Sequence, residues 1–406
     1  MSKNITIFGR EVIDEKAISQ FENCVGPNDI GVLTADAHYG YGHPIGGAVA
    51  YRDHISVSGV GFDIACGNKA VKTDLTFDDI KLRLPKIMDQ IYKRISFGVG
   101  RPNNEPVQHE IIDRIANANF EPQRKMAQLA QTQLGTVGSG NHFIDLFIDS
   151  DSCVWIGVHF GSRGFGHKTA TGFIALSQGL TFDDKGKEGS MDAPPILLNI
   201  NDQMGQDYIE AMSLAGDYAY AGRDCVVNKV LEILEGKSLY EVHNHHNFAW
   251  RENHFGQDYW VVRKGCTPAF PGQDGFVGSN MRDISVILEG VESELSKQAL
   301  YSTVHGAGRI LSRKAATGKL KWMRDEHGVK RQTRLTKGLI DFDEIKKEMK
   351  YLNIELRGAG ADEAPGCYKN LEEVLHYMGD TIKVKHRLLP IGVAMAGEDV
   401  FDPYKD

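Results

Sequence analysis

Asp63 and Cys66 stand three residues apart in the run GVGFDIACG. A carboxylate and a thiolate so spaced in a glycine-flanked loop make half of a site for a borderline transition metal. His142, His159 and His246 lie in short Gly- or Asn-rich stretches downstream and can supply the other half. Sulfur, imidazole nitrogen and carboxylate oxygen together suit zinc, manganese, iron or cobalt, and suit neither a calcium nor a magnesium cage. The set holds one cysteine and no CxxC, and its members are far apart in the chain, so a catalytic centre is expected rather than a structural zinc. Within HNHHN the choice among His243, His245 and His246 stays open, because alternation along a strand turns only some of them inward.

His305, in HGAGR, sits among small residues and arginines as a nucleophile facing a phosphate would. An imidazole can attack phosphorus and hold a phosphoramidate, splitting one hard transfer into two easier ones. Arg309 and Arg313 offer forked donors to phosphate oxygens, and the amides of Gly306, Ala307 and Gly308 can add more. Arg163 and Lys168 in GSRGFGHK, and Arg263 and Lys264 in VVRKG, read as further anion-binding loops. GYGHPIGG fits neither the dinucleotide fingerprint nor the P-loop, so neither site is expected.

These residues need elements to position them. The 44 glycines cluster in loops that carry polar residues, where close backbone approach to a ligand is useful. Val154–Val158 before His159, and His54–Val60 before Asp63, predict buried strands that deliver ligands at their ends. Helical spacing recurs at Phe342, Ile345, Met349 and Leu352, and at Leu371, Val374, Leu375 and Met378. Another helix begins at Met204, with apolar patterning continuing to Leu234 and Gly236 as the stop; Pro85 opens one through Ile91.

Because the candidate ligands run from residue 63 to 305, cutting the chain would split the site. The expected fold is α+β, one large mixed α/β domain over 1–406 with 398–406 as a tail. No run of 18 apolar residues suggests a membrane span, and the polar N-terminus lacks a leader's apolar segment. Six scattered cysteines fit reduced thiols and a cytoplasmic setting. The net charge of -8 averages over faces: from Arg309 to Lys337 ten basic residues face only Asp325 and Glu326, a stripe able to hold a phosphate backbone.

In order, GFDIACG, GSGNHF, HFGSRGFG, HHN and HGAGRILSR resemble the RtcB family of RNA-splicing ligases, as do DAHYGYGHPIGG and DEAPGCYKN at either end. The resemblance runs from about Asp36 to Tyr368. It implies two Mn²⁺ ions, a histidine–GMP intermediate, and GTP-dependent joining of RNA 2′,3′-cyclic phosphate or 3′-phosphate ends to 5′-hydroxyl ends. An archease-like activator is a possible partner in such a family. Carried over by motif, Cys66 bridges the metals, His142 and His159 complete one site, and Asp63 and His246 complete the other. His305 is the guanylylated nucleophile; Asn141, Asp145, Ser279, Ala307, Gly308 and Tyr368 contact the nucleotide; Arg163, Arg309 and Arg313 bind phosphates.

Three departures fall on the nucleotide pocket. Where the family usually ends in a Lys-Gly whose lysine helps recognise guanine, this chain reads Val393-Ala394-Met395-Ala396-Gly397. Asp145 stands where glutamate is common, and GSNMRDIS differs from the usual GSMGxxS loop by Arg282 among others. The alternative expectation is therefore a metal-dependent cyclic phosphodiesterase or end-processing enzyme that does not ligate. A non-catalytic RNA-binding scaffold is the third, and retained Cys66 and His305 speak against it.

Overall fold

In the computed structural model, residues 3–187, 190–324, 330–398 and 400 are described, with backbone only for 320–322, 324 and 330–334. Much of the basic stripe's hairpin and most of the tail, including 401–406, lie outside the residues whose side chains are described. The fold is mixed α/β. An eight-stranded sheet runs in the order Asp274–Val277, Ser285–Gly290, Ile382–Met395, Phe143–Ile148, Cys153–Phe160, Gly67–Thr76 and Ser238–His245, with Glu355–Arg357 as a parallel branch on Ile382–Met395. The ends of that path nearly meet: the Asn244 amide donates to the carbonyl of Asp274 at 3.1 Å. The result is a barrel-like wrap with Trp155, Phe147 and Phe276 packed inside one face.

A five-stranded sheet, ordered Asn4–Ile7, Ile30–His38, Ile45–Tyr51, Gln257–Lys264 and Asn247–His254, stands beside it. Ser238–His245 of the first sheet and Asn247–His254 of the second are separated only by His246, so that residue sits at the seam. The helix Gln203–Leu234 covers the junction with an apolar face from Tyr208 to Leu234.

Two local expectations are corrected. His54–Val60 is not one strand: His54–Ser56 is extended, then Val57–Val60 forms a helical turn. The Ser56 hydroxyl accepts from the Gly59 amide at 2.9 Å, and such N-capping outweighs the β-branched composition over so short a run. At the C-terminus of the long helix, Glu235 rather than Gly236 takes the left-handed conformation (φ 61), and the Gly236 amide returns to Leu231 at 3.1 Å. The helices Leu84–Arg94, Phe342–Tyr351 and Leu371–Tyr377 lie where their apolar spacing predicts. No helix among the described residues is long and apolar enough to cross a membrane.

Candidate active site

Asp63 and Cys66 lie on the loop between the Val57–Val60 turn and the strand Gly67–Thr76. Between them Ala65 holds φ 60, a conformation costing a non-glycine residue about 1 kcal/mol. A neighbouring segment must also come close: a Cβ on Gly161 would lie 2.2 Å from Asp63 Oδ1, so only glycine fits there. His142 precedes the strand Phe143–Ile148, and His159 lies within Cys153–Phe160 rather than beyond its end.

The five candidate ligands converge, across as many as 183 residues of chain, into two triads that share Cys66: Asp63–Cys66–His142 and Cys66–His159–His246. Donor atoms within each triad are no more than 4.8 Å apart. Cys66 Sγ is 3.6 Å from His142 Nε2 and 3.5 Å from His159 Nε2, spacings expected of ligands bonded at about 2.0–2.3 Å to a common ion. The grouping differs from the motif-based expectation: His142 partners Asp63 at 3.0 Å, and His159 stacks on His246 with centroids 5.1 Å apart. Register is the reason, since His159 faces Asn68 and Phe143 across neighbouring strands and turns toward the seam where His246 sits.

Hydrogen bonds fix which ring nitrogens face the centre. His159 Nδ1 donates to Asn68 Oδ1 at 2.6 Å, because the Asn68 amide nitrogen is already given to the Phe276 carbonyl. His142 Nδ1 donates to the Val137 carbonyl at 3.0 Å. Both Nε2 lone pairs therefore point inward, as metal-bound histidines require. His142 Nε2 and Asp63 Oδ2 lie within hydrogen-bond distance at 3.0 Å, and a cation bound between them would take the place of the proton of that bond. Burial pushes His159 and His246 well below the usual imidazole range, so both are neutral ligands. Burial and then the Asp63 charge push the Cys66 thiol well up. Asp63 falls below the carboxylate range: burial would raise it, but the hydrogen bond and charge of His142 and the charge of Arg163 outweigh that.

Alternation in HNHHN is settled by one buried cation. Arg223, fully buried in the long helix, donates from Nε to His243 Nε2 at 2.8 Å and from Nη2 to His245 Nδ1 at 2.8 Å. Those two histidines thus face the helix, and His246 alone turns to Cys66 and His159. Arg223 Nη1 also donates to the carbonyls of Ala65 at 3.0 Å and Phe160 at 2.6 Å. One guanidinium ties down the residues flanking Cys66, His159 and His246. Arg223→Lys keeps the charge but loses the fork, so affinity for a divalent metal at the cluster should fall ~10–100-fold. Calorimetric titration reads that loss, with a thermal scan in chelator to separate it from unfolding; unchanged affinity removes the positioning role.

His305 stands against the second triad, its ring centroid 4.9 Å from that of His246. Its Nδ1 donates to Asp36 Oδ2 at 2.6 Å, and its own backbone amide donates to the same oxygen at 3.1 Å. Thr34 Oγ1 donates to Asp36 Oδ1 at 2.6 Å. Burial alone would raise this carboxyl, but His305 and Thr34 hold it below the ordinary carboxylate range. The Nε2 lone pair of His305 is left for the cleft, the pairing by which a carboxylate orients a nucleophilic or basic imidazole. Gly308, at φ 79, lets HGAGR lie against the Asp36 backbone, where a Cβ would meet the carbonyl oxygen at 2.2 Å.

Beside His305 a cleft is lined by Asn141, Asp145, Ser279, Ala307, Gly308 and Tyr368, all six residues proposed for the nucleotide, and by Phe143, Val393 and Met395 as an apolar wall. Asp145 Oδ1 and Ser279 Oγ are buried there without a hydrogen-bond partner. Burial pushes Asp145 well above the carboxylate range. Two orphaned polar atoms in an apolar slot fit a flat polar ligand that pairs with both. Ala396 does not line this cleft; it is buried in the cluster with Ile91, Phe97 and Val137. The arginines are more engaged than expected. Arg309 donates to the Asp362 carbonyl at 2.7 Å and to Glu363 at 3.1 Å, and lies over the Tyr368 ring. Arg313 pairs with Asp362 at 2.7 Å and with Glu363. Arg163 (φ 54) reaches toward His142, 3.3 Å from Nδ1.

Sequence reasoning passed over Asp36, Asn68 and Arg223. Each carried a signal: a charged or amide side chain inside a mainly apolar or small-residue run (IGVLTADAH, CGNKAV, AYAGRDCVV) needs a partner if it is buried.

A convergent thiolate–imidazole–carboxylate cluster beside a carboxylate-held histidine is equipment that a group-transfer enzyme could use. A family model described as tRNA-splicing ligase RtcB matches residues 26–127 and 107–396. The tRNA-splicing ligase RtcB of Thermococcus kodakarensis is 29% identical, covering 89% of this chain and 87% of that protein. The RNA-splicing ligase RtcB of Escherichia coli is 29% identical over 87% and 86% of the two chains. RNA-splicing ligase RtcB homolog 1 of Entamoeba histolytica is 28% identical over 90% and 82%. The chain belongs to the RtcB family, and by class it is a ligase-family enzyme.

Proposed function

We propose that this chain is a Mn²⁺-dependent RNA ligase that consumes GTP and joins 2′,3′-cyclic phosphate or 3′-phosphate RNA ends to 5′-hydroxyl ends. The observation that carries the reading is His305, held by Asp36 at 2.6 Å between the ligand cluster and the cleft that contains Asp145. Thiolate with imidazole and carboxylate suits manganese over magnesium, and Asp63, Cys66, His142, His159 and His246 would hold two ions. When bound, such ions supply positive charge against phosphate oxygens.

His305 Nε2 attacks the α-phosphorus of GTP, forming the N–P bond as the bond to pyrophosphate breaks. The 3′-phosphate, opened from the cyclic form by water, takes GMP from His305. The 5′-hydroxyl then displaces GMP. Asp36 keeps the His305 tautomer constant throughout. Guanine presents an N1–H and an exocyclic amine side by side; those two donors would favour the charged form of Asp145 that burial alone disfavours, so the orphaned carboxylate with Ser279 matches that edge. Lysine at the position of Ala396 is then not required for recognition.

Purified protein incubated with radiolabelled GTP and Mn²⁺ should retain acid-labile label after denaturation. No label, with metal-dependent opening of a 2′,3′-cyclic phosphate, instead selects the end-processing reading. Asp145→Asn removes one acceptor and should cut discrimination of GTP from ATP by ~10²-fold in labelling rate. Equal discrimination in that variant places base recognition elsewhere. An archease-like activator would appear as a rise in labelling rate on its addition, and a cytoplasmic setting suits the six free thiols.

A further inference from the structure

The connection between the paired strands Asp274–Val277 and Ser285–Gly290 forms a tip beside the nucleotide cleft. Gly278, Ser279, Asn280 and Met281 line that cleft; Arg282 does not, and lines a separate hollow of about 1180 Å³ instead. The tip is closed by its own side chains. Asn280 Oδ1 accepts from the amides of Arg282 and Asp283, both at 3.0 Å, and Asn280 Nδ2 donates to Asp283 Oδ2 at 2.8 Å. The Ser279 amide donates to Ser285 Oγ at 3.1 Å. Local bonds of this kind make the tip a single piece.

Two contacts fasten that piece to the helix Phe342–Tyr351. Met281 is buried in an apolar cluster with Phe342 and Met349. The Arg282 guanidinium spans from Asp283 Oδ1 to Glu348 Oε1, at 2.9 Å to each. The same helix also reaches the opposite wall. Ile345 packs on the Met281 cluster and on a second one that holds Ala364 and Cys367, with Tyr368 against it. Glu363 and Tyr368 line the cleft from there. The helix is therefore a beam between two walls of the cleft.

Apolar packing brings the tip close to the beam but is non-directional, whereas a charge-assisted hydrogen bond prefers one length and one direction. The two side chains are 38% and 37% exposed, so their pair adds little to global stability. Its effect is local. A tip free to slide on Met281 displaces Ser279, whose buried Oγ has no partner in the protein and must meet its ligand at hydrogen-bond distance.

We infer that Arg282 and Glu348 are positioning residues that set the width of the nucleotide cleft, from outside it, by fixing where the tip carrying Ser279 sits on the beam. This rests on the reading of the cleft as a GTP site. Neither residue is asked to touch the nucleotide, and the reacting His305 lies on another segment.

The test uses the full chain with Mn²⁺ and radiolabelled GTP. In Arg282→Gln and Glu348→Gln the KM for GTP in labelling should rise ~5–10-fold, with the rate at saturation moving less than twofold, because binding is disturbed and the attacking group is not. The double variant should be no worse than either single one, since each already breaks the same pair. Amide exchange over residues 278–285 needs no nucleotide and should quicken ~5–10-fold in both single variants, while the thermal midpoint stays within ~3 degrees of the parent. Unchanged KM or unchanged exchange in either single variant overturns the assignment, as do effects that multiply in the double or a lower saturating rate at constant KM. Absence of GMP label in the unmutated protein would sink the ligase reading alone, while the exchange result still decides whether the pair holds the tip.

Discussion

His305→Ala will retain no covalent GMP, a loss of ~10⁴-fold or more, and Asp36→Asn will lower the labelling rate by ~10²–10⁴-fold. The first effect follows from removing the atom proposed to attack, His305 Nε2, on a residue that lines the cleft and packs against His246. The second is more telling. Asp36 is buried behind the cleft and does not line it; it accepts from His305 Nδ1, the His305 amide and Thr34 Oγ1, three donors on one carboxylate. An asparagine there can turn its NH₂ toward Nδ1, forcing the ring proton onto Nε2 and blocking the lone pair. Single-turnover labelling across pH separates this from simple destabilisation, because a tautomer defect lowers the plateau at every pH while a thermal scan stays within a few degrees of the parent. An Asp36→Asn variant that labels at the parental rate would detach the carboxylate from catalysis.

Cys66→Ala should lose both metal equivalents together, with affinity down at least ~10³-fold, since the sulfur belongs to both triads. Proton accounting makes the same point independently. Burial and the Asp63 charge hold the thiol protonated at neutral pH, yet only the thiolate binds a metal. Loading the parent protein must therefore release at least about one proton per chain, and affinity should climb as pH rises toward the thiol's raised pKa. His159 and His246 contribute no proton, being kept neutral by burial. Titration calorimetry in buffers of different ionisation enthalpy measures the number released. A Cys66→Ala protein that still takes up two equivalents would exclude a shared sulfur.

What was legible in the chain was chemistry of local origin. Helices over Leu84–Arg94 and Phe342–Tyr351 announce themselves because an apolar stripe repeats every 3.6 residues whatever lies opposite. Cys66, Asp63 and His305 stand out because glycine-flanked loops rarely carry such side chains by accident. The short run His54–Val60 misled, since over seven residues a single Ser56 cap decides between strand and turn.

By itself the sequence determined the cast: which residue types could bind a soft divalent ion, which histidine stood apart among arginines, and which faces of helices must be buried. Only the tertiary structure decided the pairing. Register put His142 with Asp63 and His159 with His246, Arg223 turned His243 and His245 away, and Asp362 and Glu363 drew in the forks of Arg309 and Arg313. Those outcomes, and the Asp36–His305 pair 269 residues apart in the chain, depend on contacts between distant segments. Ångström-scale distances of that kind are set by how two sheets meet at a seam, and no spacing along a chain encodes them.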